Sequence, residues 1–119
     1  GKEAPEEVPA WLSDCLRYLS ENYREKLTAQ MLADRFSVGR TTLMTAFKRY
    51  TGMTVRDYLT RCRLRNSVRY LRQGMSEAEA AELCGFGDAC GLIRAYRRYF
   101  RTTPRRYLAG DAALSRHPE

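Results

Sequence analysis

Nowhere in these 119 residues does an apolar run approach the roughly 20 residues that a bilayer-spanning helix needs. No secretory leader is expected, because the first ten residues, GKEAPEEVPA, are polar and contain no apolar core. Histidine occurs once, as His117, and the four cysteines, Cys15, Cys62, Cys84 and Cys90, make no C-x-x-C pair. Zinc sites are built from closely spaced ligand pairs, so neither a metal nor any other cofactor is expected. Cys15, Cys62 and Cys84 fall on apolar helical faces, and free buried thiols in a reducing cytosol are a simpler reading than two disulfides. There is no glycine-rich phosphate loop and no recognisable setting of paired carboxylates, so the chain is not expected to be an enzyme. Strand-like alternation is missing as well, which leaves an all-α fold.

What the chain does have is positive charge, unevenly spread. The net charge is +7, yet the first thirty residues hold four basic against six acidic side chains, and the remainder holds 17 against 8. A basic body attracts polyanions such as nucleic acid or anionic lipid, although a solvated positive surface accounts for the same numbers.

Apolar residues recur with a 3.6-residue period, and about seven helices are expected between clear punctuation. Trp11, Leu12, Cys15, Leu16, Tyr18 and Leu19 make a stripe on a first helix over about 9–23. Thr28 caps a second helix to Phe36, and a third runs from Arg40 to about Tyr50, with Gly52 as its stop. Thr54 opens a long helix to about Gln73, and Ser76-Glu77-Ala78-Glu79 is a capping box for a short helix to Cys84. Asp88 caps a sixth helix to about Arg101, and Thr103-Pro104 opens a last one through Ala109. The expected organisation is a disordered linker or tag remnant at 1–8, a first unit at 9–53 and a linker helix at 54–73. A second unit at 74–109 and a flexible tail at 110–119 complete it.

An internal repeat ties these pieces together. Phe47-Lys48-Arg49-Tyr50 recurs 49 positions later as Tyr96-Arg97-Arg98-Tyr99. The same offset relates Leu43 to Leu92, Ala46 to Ala95, Thr54 to Thr103, Tyr58 to Tyr107 and Leu59 to Leu108. Ahead of the turn the offset is 48, pairing Ala33 with Ala81 and Phe36 with Cys84, so the second turn is one residue longer. Short helix, tight turn, longer helix is the helix-turn-helix layout, here present twice and joined by the long helix.

In such a unit the outward face of the second helix enters the major groove of DNA. On the third helix Leu43, Ala46, Phe47 and Tyr50 cluster inward, leaving Thr41, Thr42, Met44, Thr45, Lys48 and Arg49 outward. Threonine hydroxyls bond to several bases and their methyls pack on thymine methyls. Lys48 and Arg49, with Arg40 and Thr42 at the helix start, suit phosphates. The sixth helix presents Cys90, Arg94 and Arg97, flanked by Ala89, Gly91, Ile93 and Arg98. Arg94 is the one long polar side chain near its start and fits bidentate pairing with guanine, or else a phosphate clamp. Ala89, Cys90 and Gly91 are small and permit close approach more than a hydrogen-bond code. Arg97, Arg98, Arg101, Arg105 and Arg106 are further phosphate candidates, as are Arg56, Arg61 and Arg63. Phe36, Phe47, Phe86, Tyr96 and Tyr107 are expected in the core. An interaction module that kept the fold and binds a protein partner, with only nonspecific DNA affinity, is the alternative.

The spaced residues resemble a known family. Leu32-Ala33, Leu43, Phe47-Lys48-Arg49, Thr51-Gly52-Met53-Thr54 and Tyr58-Leu59 are similar to the first half of the AraC/XylS regulator DNA-binding domain. Ala81, Cys84-Gly85-Phe86, Asp88, Leu92, Arg94, Tyr96-Arg97-Arg98, Phe100, Thr103-Pro104 and Tyr107 resemble its second half. The resemblance implies sequence-specific binding to double-stranded promoter DNA and activation through RNA polymerase. It also implies a cytoplasmic, nucleoid-associated setting, with a DNA-binding domain that is monomeric even where a full-length protein is oligomeric. Carried onto this chain, the family's base-contact positions fall on Thr41, Met44 and Thr45, then on Ala89, Cys90 and Arg94. The sequence departs from the pattern at Tyr96 and Leu92, where Phe is usual, at Arg101, where Gly is usual, and at Cys90-Gly91, where Ser and an aromatic are common.

Overall fold

The computed structural model describes residues 7–110, and within them the fold is all-α. Seven helices follow in order: α1 Ala10–Glu21, α2 Ala29–Arg35, α3 Arg40–Thr51, α4 Val55–Arg72, α5 Glu77–Cys84, α6 Ala89–Phe100 and α7 Pro104–Leu108. Expectations for the ends of the chain, including His117, fall outside the described residues at 1–6 and 111–119.

Side-chain caps set most of the helix starts. The Thr28 hydroxyl accepts from the Met31 N–H at the start of α2, and the Asp88 carboxylate accepts from the Gly91 N–H at the start of α6. Ser76 and Glu79 form the full reciprocal box on α5. Thr54 and Thr103, 49 residues apart, accept from the Asp57 and Arg106 N–H groups at 3.0 and 3.3 Å. Each such cap is worth about 1 kcal/mol, because it satisfies an amide that the helix itself leaves unpaired.

The chain divides into two compact units. The first runs up to Asn22 and resumes over Lys26–Leu59. In it α1 and α2 pack on α3, and Leu12, Cys15, Leu19, Leu32, Ala33, Leu43 and Phe47 are buried. Tyr18 meets Phe36 edge-on with ring centroids 6.1 Å apart, and the Arg35 guanidinium lies 4.1 Å over the Tyr18 ring. Phe47 packs edge-on against Tyr58 at 5.5 Å.

The second unit comprises Tyr23–Glu25 and the chain from Thr60 onward. Its core is Leu64, Leu71, Ala80, Ala81, Leu92 and Tyr96, with Phe86, Phe100 and Tyr107 packed against them. Tyr96 meets Tyr107 edge-on at 5.8 Å, the counterpart of the Phe47–Tyr58 pair. Unlike Phe47, Tyr96 carries a hydroxyl, and that hydroxyl lies 2.8 Å from the Ser67 hydroxyl, both residues being fully buried. Ser67 also donates to the Leu64 carbonyl at 2.7 Å. Here is the physical reason for tyrosine at a position where phenylalanine is usual: α4 supplies a polar partner. Burial pushes the Tyr96 hydroxyl up to about 12, so it stays protonated at neutral pH.

The segment Tyr23–Glu25 is tied to this unit by arginines. Arg63 donates to the Tyr23 and Glu25 carbonyls at 2.6 and 2.8 Å, and Arg24 donates to the Leu83 carbonyl at 2.8 Å. Arg63 is half-buried, and burial lowers its pKa. Its expected place on a phosphate is therefore corrected: this guanidinium satisfies backbone carbonyls instead. The four cysteines are free, with Cys15, Cys62 and Cys84 buried and Cys90 exposed. Burial raises Cys15 and Cys84 to about 11, which keeps both as inert thiols.

Candidate nucleic-acid interface

The helices α3 and α6 correspond in register. Both α3 and α6 have 12 residues, and each begins and ends 49 positions from its counterpart. Leu43 and Phe47 anchor α3 in the first unit, while Leu92 and Tyr96 anchor α6 in the second, and all four are fully buried. The remaining faces are thereby turned to solvent.

On α3, Thr41, Thr42, Met44 and Thr45 are exposed, as are Arg40, Lys48 and Arg49. Met44 is 47% exposed, one of three large hydrophobic side chains so exposed among the described residues. An apolar thioether beside two threonine methyls makes a surface suited to thymine methyl groups rather than to a charged ligand. The helix closes on Gly52 in the left-handed region at φ 76, and the Gly52 N–H donates to the Lys48 carbonyl. Lys48 and Arg49 thus sit in the last turn, where a cation also favours the helix dipole.

On α6, Cys90, Arg94, Arg97 and Arg98 are exposed and Ala89 is half-buried. The Arg49 guanidinium lies 5.8 Å over the Tyr50 ring, and that of Arg98 lies 5.7 Å over Tyr99, so even this detail repeats. The helix starts differ, however. Gly39 offers α3 no side-chain cap, whereas Asp88 caps α6. A Cβ built on Gly91 would lie 2.9 Å from the Phe86 carbonyl oxygen, closer than real Cβ atoms come. The longer second turn folds its backbone onto the first turn of α6, and only glycine leaves room. Composition alone marks Gly91 as a weak helix residue; the contact that requires it is legible only in three dimensions.

Among the described residues no group of three or more histidine, cysteine or acidic side chains is placed to hold a metal, and no helix is long and apolar enough to cross a membrane. The exposed faces of α3 and α6 carry hydroxyls, cations, small side chains and the Met44 thioether. Together they can bond to phosphate oxygens and base edges.

A family model described as a helix-turn-helix domain matches residues 32–110. The HTH-type transcriptional activator RhaS of Salmonella schwarzengrund (strain CVM19633) is 34% identical over 106 residues, covering 88% of this chain and 38% of that protein. The chain thus spans about two-fifths of the length of the curated relatives it matches. Among solved structures, a Chromobacterium violaceum transcriptional regulator with an AraC-type DNA-binding domain is 28% identical with a TM-score of 0.77, over 84% of this chain and 90% of that one. The DNA-binding domain of the global transcriptional factor AdpA, solved with a target DNA, is 26% identical with a TM-score of 0.77, over 89% of this chain and 97% of that one.

Proposed function

This chain belongs to the AraC/XylS family of helix-turn-helix transcription regulators, and from that premise we propose that it binds a specific double-stranded promoter sequence through α3 and α6, one in each of two successive major grooves. The observation that carries the reading is the repeated helix itself: in both copies two large apolar residues bury one face and leave a hydroxyl- or guanidinium-bearing face in solvent. Thr41, Met44 and Thr45 read base edges in the first copy, and Ala89, Cys90 and Arg94 do so in the second. Arg40, Thr42, Lys48, Arg49, Arg97 and Arg98 hold the phosphates on either side and fix the register. The name of the RhaS relatives supports activation of transcription, and RNA polymerase is the protein partner that the family resemblance implies. The setting is the cytoplasm, where the nucleoid lies, and the domain acts as a monomer in the complex.

Selection from a randomised duplex library with the purified chain, followed by titration of the selected site and of random duplex at two salt concentrations, tests the proposal. Specific binding with a steep salt slope is expected. Equal, weak binding to every duplex at moderate salt would instead make the chain a protein-interaction module with an incidental basic face. Arg94→Ala is expected to weaken the selected site by about 1–3 kcal/mol and to relax preference at one base pair. A uniform loss across sequences would make Arg94 a phosphate contact. Lys48→Ala is expected to lower the salt slope by about one with preference unchanged.

A further inference from the structure

We propose that Arg101 is a DNA phosphate contact, held for its charge at a backbone position that favours glycine. The inference rests on the DNA-binding reading above and extends it to a residue at which this chain departs from its family's usual pattern. Arg101 ends α6 in the left-handed region at φ 61, one of two non-glycine residues with positive φ among those described. Its counterpart 49 residues earlier is Gly52, which ends α3 in the same conformation at φ 76. An L side chain in that region crowds its Cβ against the following carbonyl, a strain glycine does not suffer. The first copy therefore meets the geometric need without cost and the second does not.

Strain of this kind persists where the side chain contributes something else. The Arg101 side chain is exposed. Its Cα follows Cys90 by eleven residues and Arg94 by seven, so at ~100° per residue it lies within about 20° of each around the α6 axis. Arg105 and Arg106, at the start of α7, are exposed as well. Just past the end of α6 the chain thus carries three exposed arginines within six residues, the chemistry that grips a phosphate backbone. A cation at a helix end also favours the helix dipole, but Arg97 and Arg98 already supply that charge in the last turn.

Three variants of the full chain separate charge from conformation: Arg101→Gly and Arg101→Asn, which relieve the left-handed strain and remove the charge, and Arg101→Lys, which keeps both. The probe is a mixed-sequence duplex of about 30 base pairs, since a phosphate contact carries no sequence information. Arg101→Gly is expected to raise the denaturation midpoint and yet weaken DNA binding, with the plot of log affinity against log salt shallower by about one. Arg101→Asn should share the shallower slope, and Arg101→Lys should keep the wild-type slope. A wild-type slope in both the Gly and Asn variants would overturn the proposal, leaving Arg101 a helix-end residue only. A lower midpoint in the Gly variant would overturn the premise of strain, and a Lys variant as shallow as the Gly variant would show that charge is not what matters. If the wild-type chain itself binds no duplex at low salt, the functional reading falls and this inference falls with it.

Discussion

At the turn between its short and its longer helix, each copy of the repeat faces the same backbone problem and answers it with a different residue. Ser37 at φ 57 and Gly85 at φ 93 hold equivalent left-handed positions. Both turns close with the same bond, from the Val38 N–H to the Ala33 carbonyl at 3.0 Å and from the Phe86 N–H to the Ala81 carbonyl at 2.8 Å. Ser37 is exposed, and serine tolerates the conformation at modest cost. A Cβ on Gly85 would lie 2.8 Å from Arg63 Nε, 2.9 Å from the Tyr23 carbonyl oxygen and 3.0 Å from that of Arg24. Backbone conformation alone favours glycine at both turns; the 23–25 segment makes it obligatory at one. Two copies that look interchangeable in sequence are not interchangeable in packing.

The sharpest way to break this comparison is to put a methyl at the crowded turn. Gly85→Ala is expected to cost about 2–4 kcal/mol in urea or guanidinium unfolding, from the left-handed strain and the backbone clash together. Ser37→Gly should cost nothing and gain at most about 1 kcal/mol. Equal effects at the two positions would show that conformation, and not the neighbouring segment, sets the residue.

A smaller asymmetry is expected in the cores. Phe47→Tyr places a hydroxyl at a fully buried position built around a phenyl ring and should cost about 1–3 kcal/mol. The reverse exchange, Tyr96→Phe, should cost only about 1 kcal/mol, because Ser67 keeps its bond to the Leu64 carbonyl. If Phe47→Tyr proves the milder of the two, the Ser67–Tyr96 pair is not what distinguishes the second core. The smallest difference lies at the starts of α3 and α6. Asp88→Ala should lose about 1 kcal/mol, while Gly39→Ser should gain a few tenths, again read by denaturant unfolding.

Much of the fold is legible in the sequence because it is written locally. Thr28, Ser76, Asp88 and Thr103 announce helix starts within three residues of the amides they cap, and the structure places each where expected. The 49-residue offset predicts that α3 and α6 match, and they begin and end in register. The outward placement of Thr41, Thr45, Arg94 and Arg97 follows from the same periodicity. What the sequence hides is long-range. Arg63 reads as one more exposed cation, yet its partner is a carbonyl 40 residues away. Ser67 reads as a polar interruption of α4 until Tyr96, 29 residues on, is brought beside it. Gly91 reads as a defect because the carbonyl that excludes its Cβ belongs to a turn whose path no local pattern dictates. Arg101, by contrast, is visible through the family resemblance, whose pattern has Gly where this chain has Arg.

The crowding at Gly91 also limits how the start of α6 can change. Any side chain there would collide with the preceding loop, so drift at that codon damages folding before it alters the exposed surface. Change at the start of α6 must therefore pass through its exposed neighbours, Cys90 and Arg94, whereas α3 is exposed at five of its first six positions and has wider latitude to diverge.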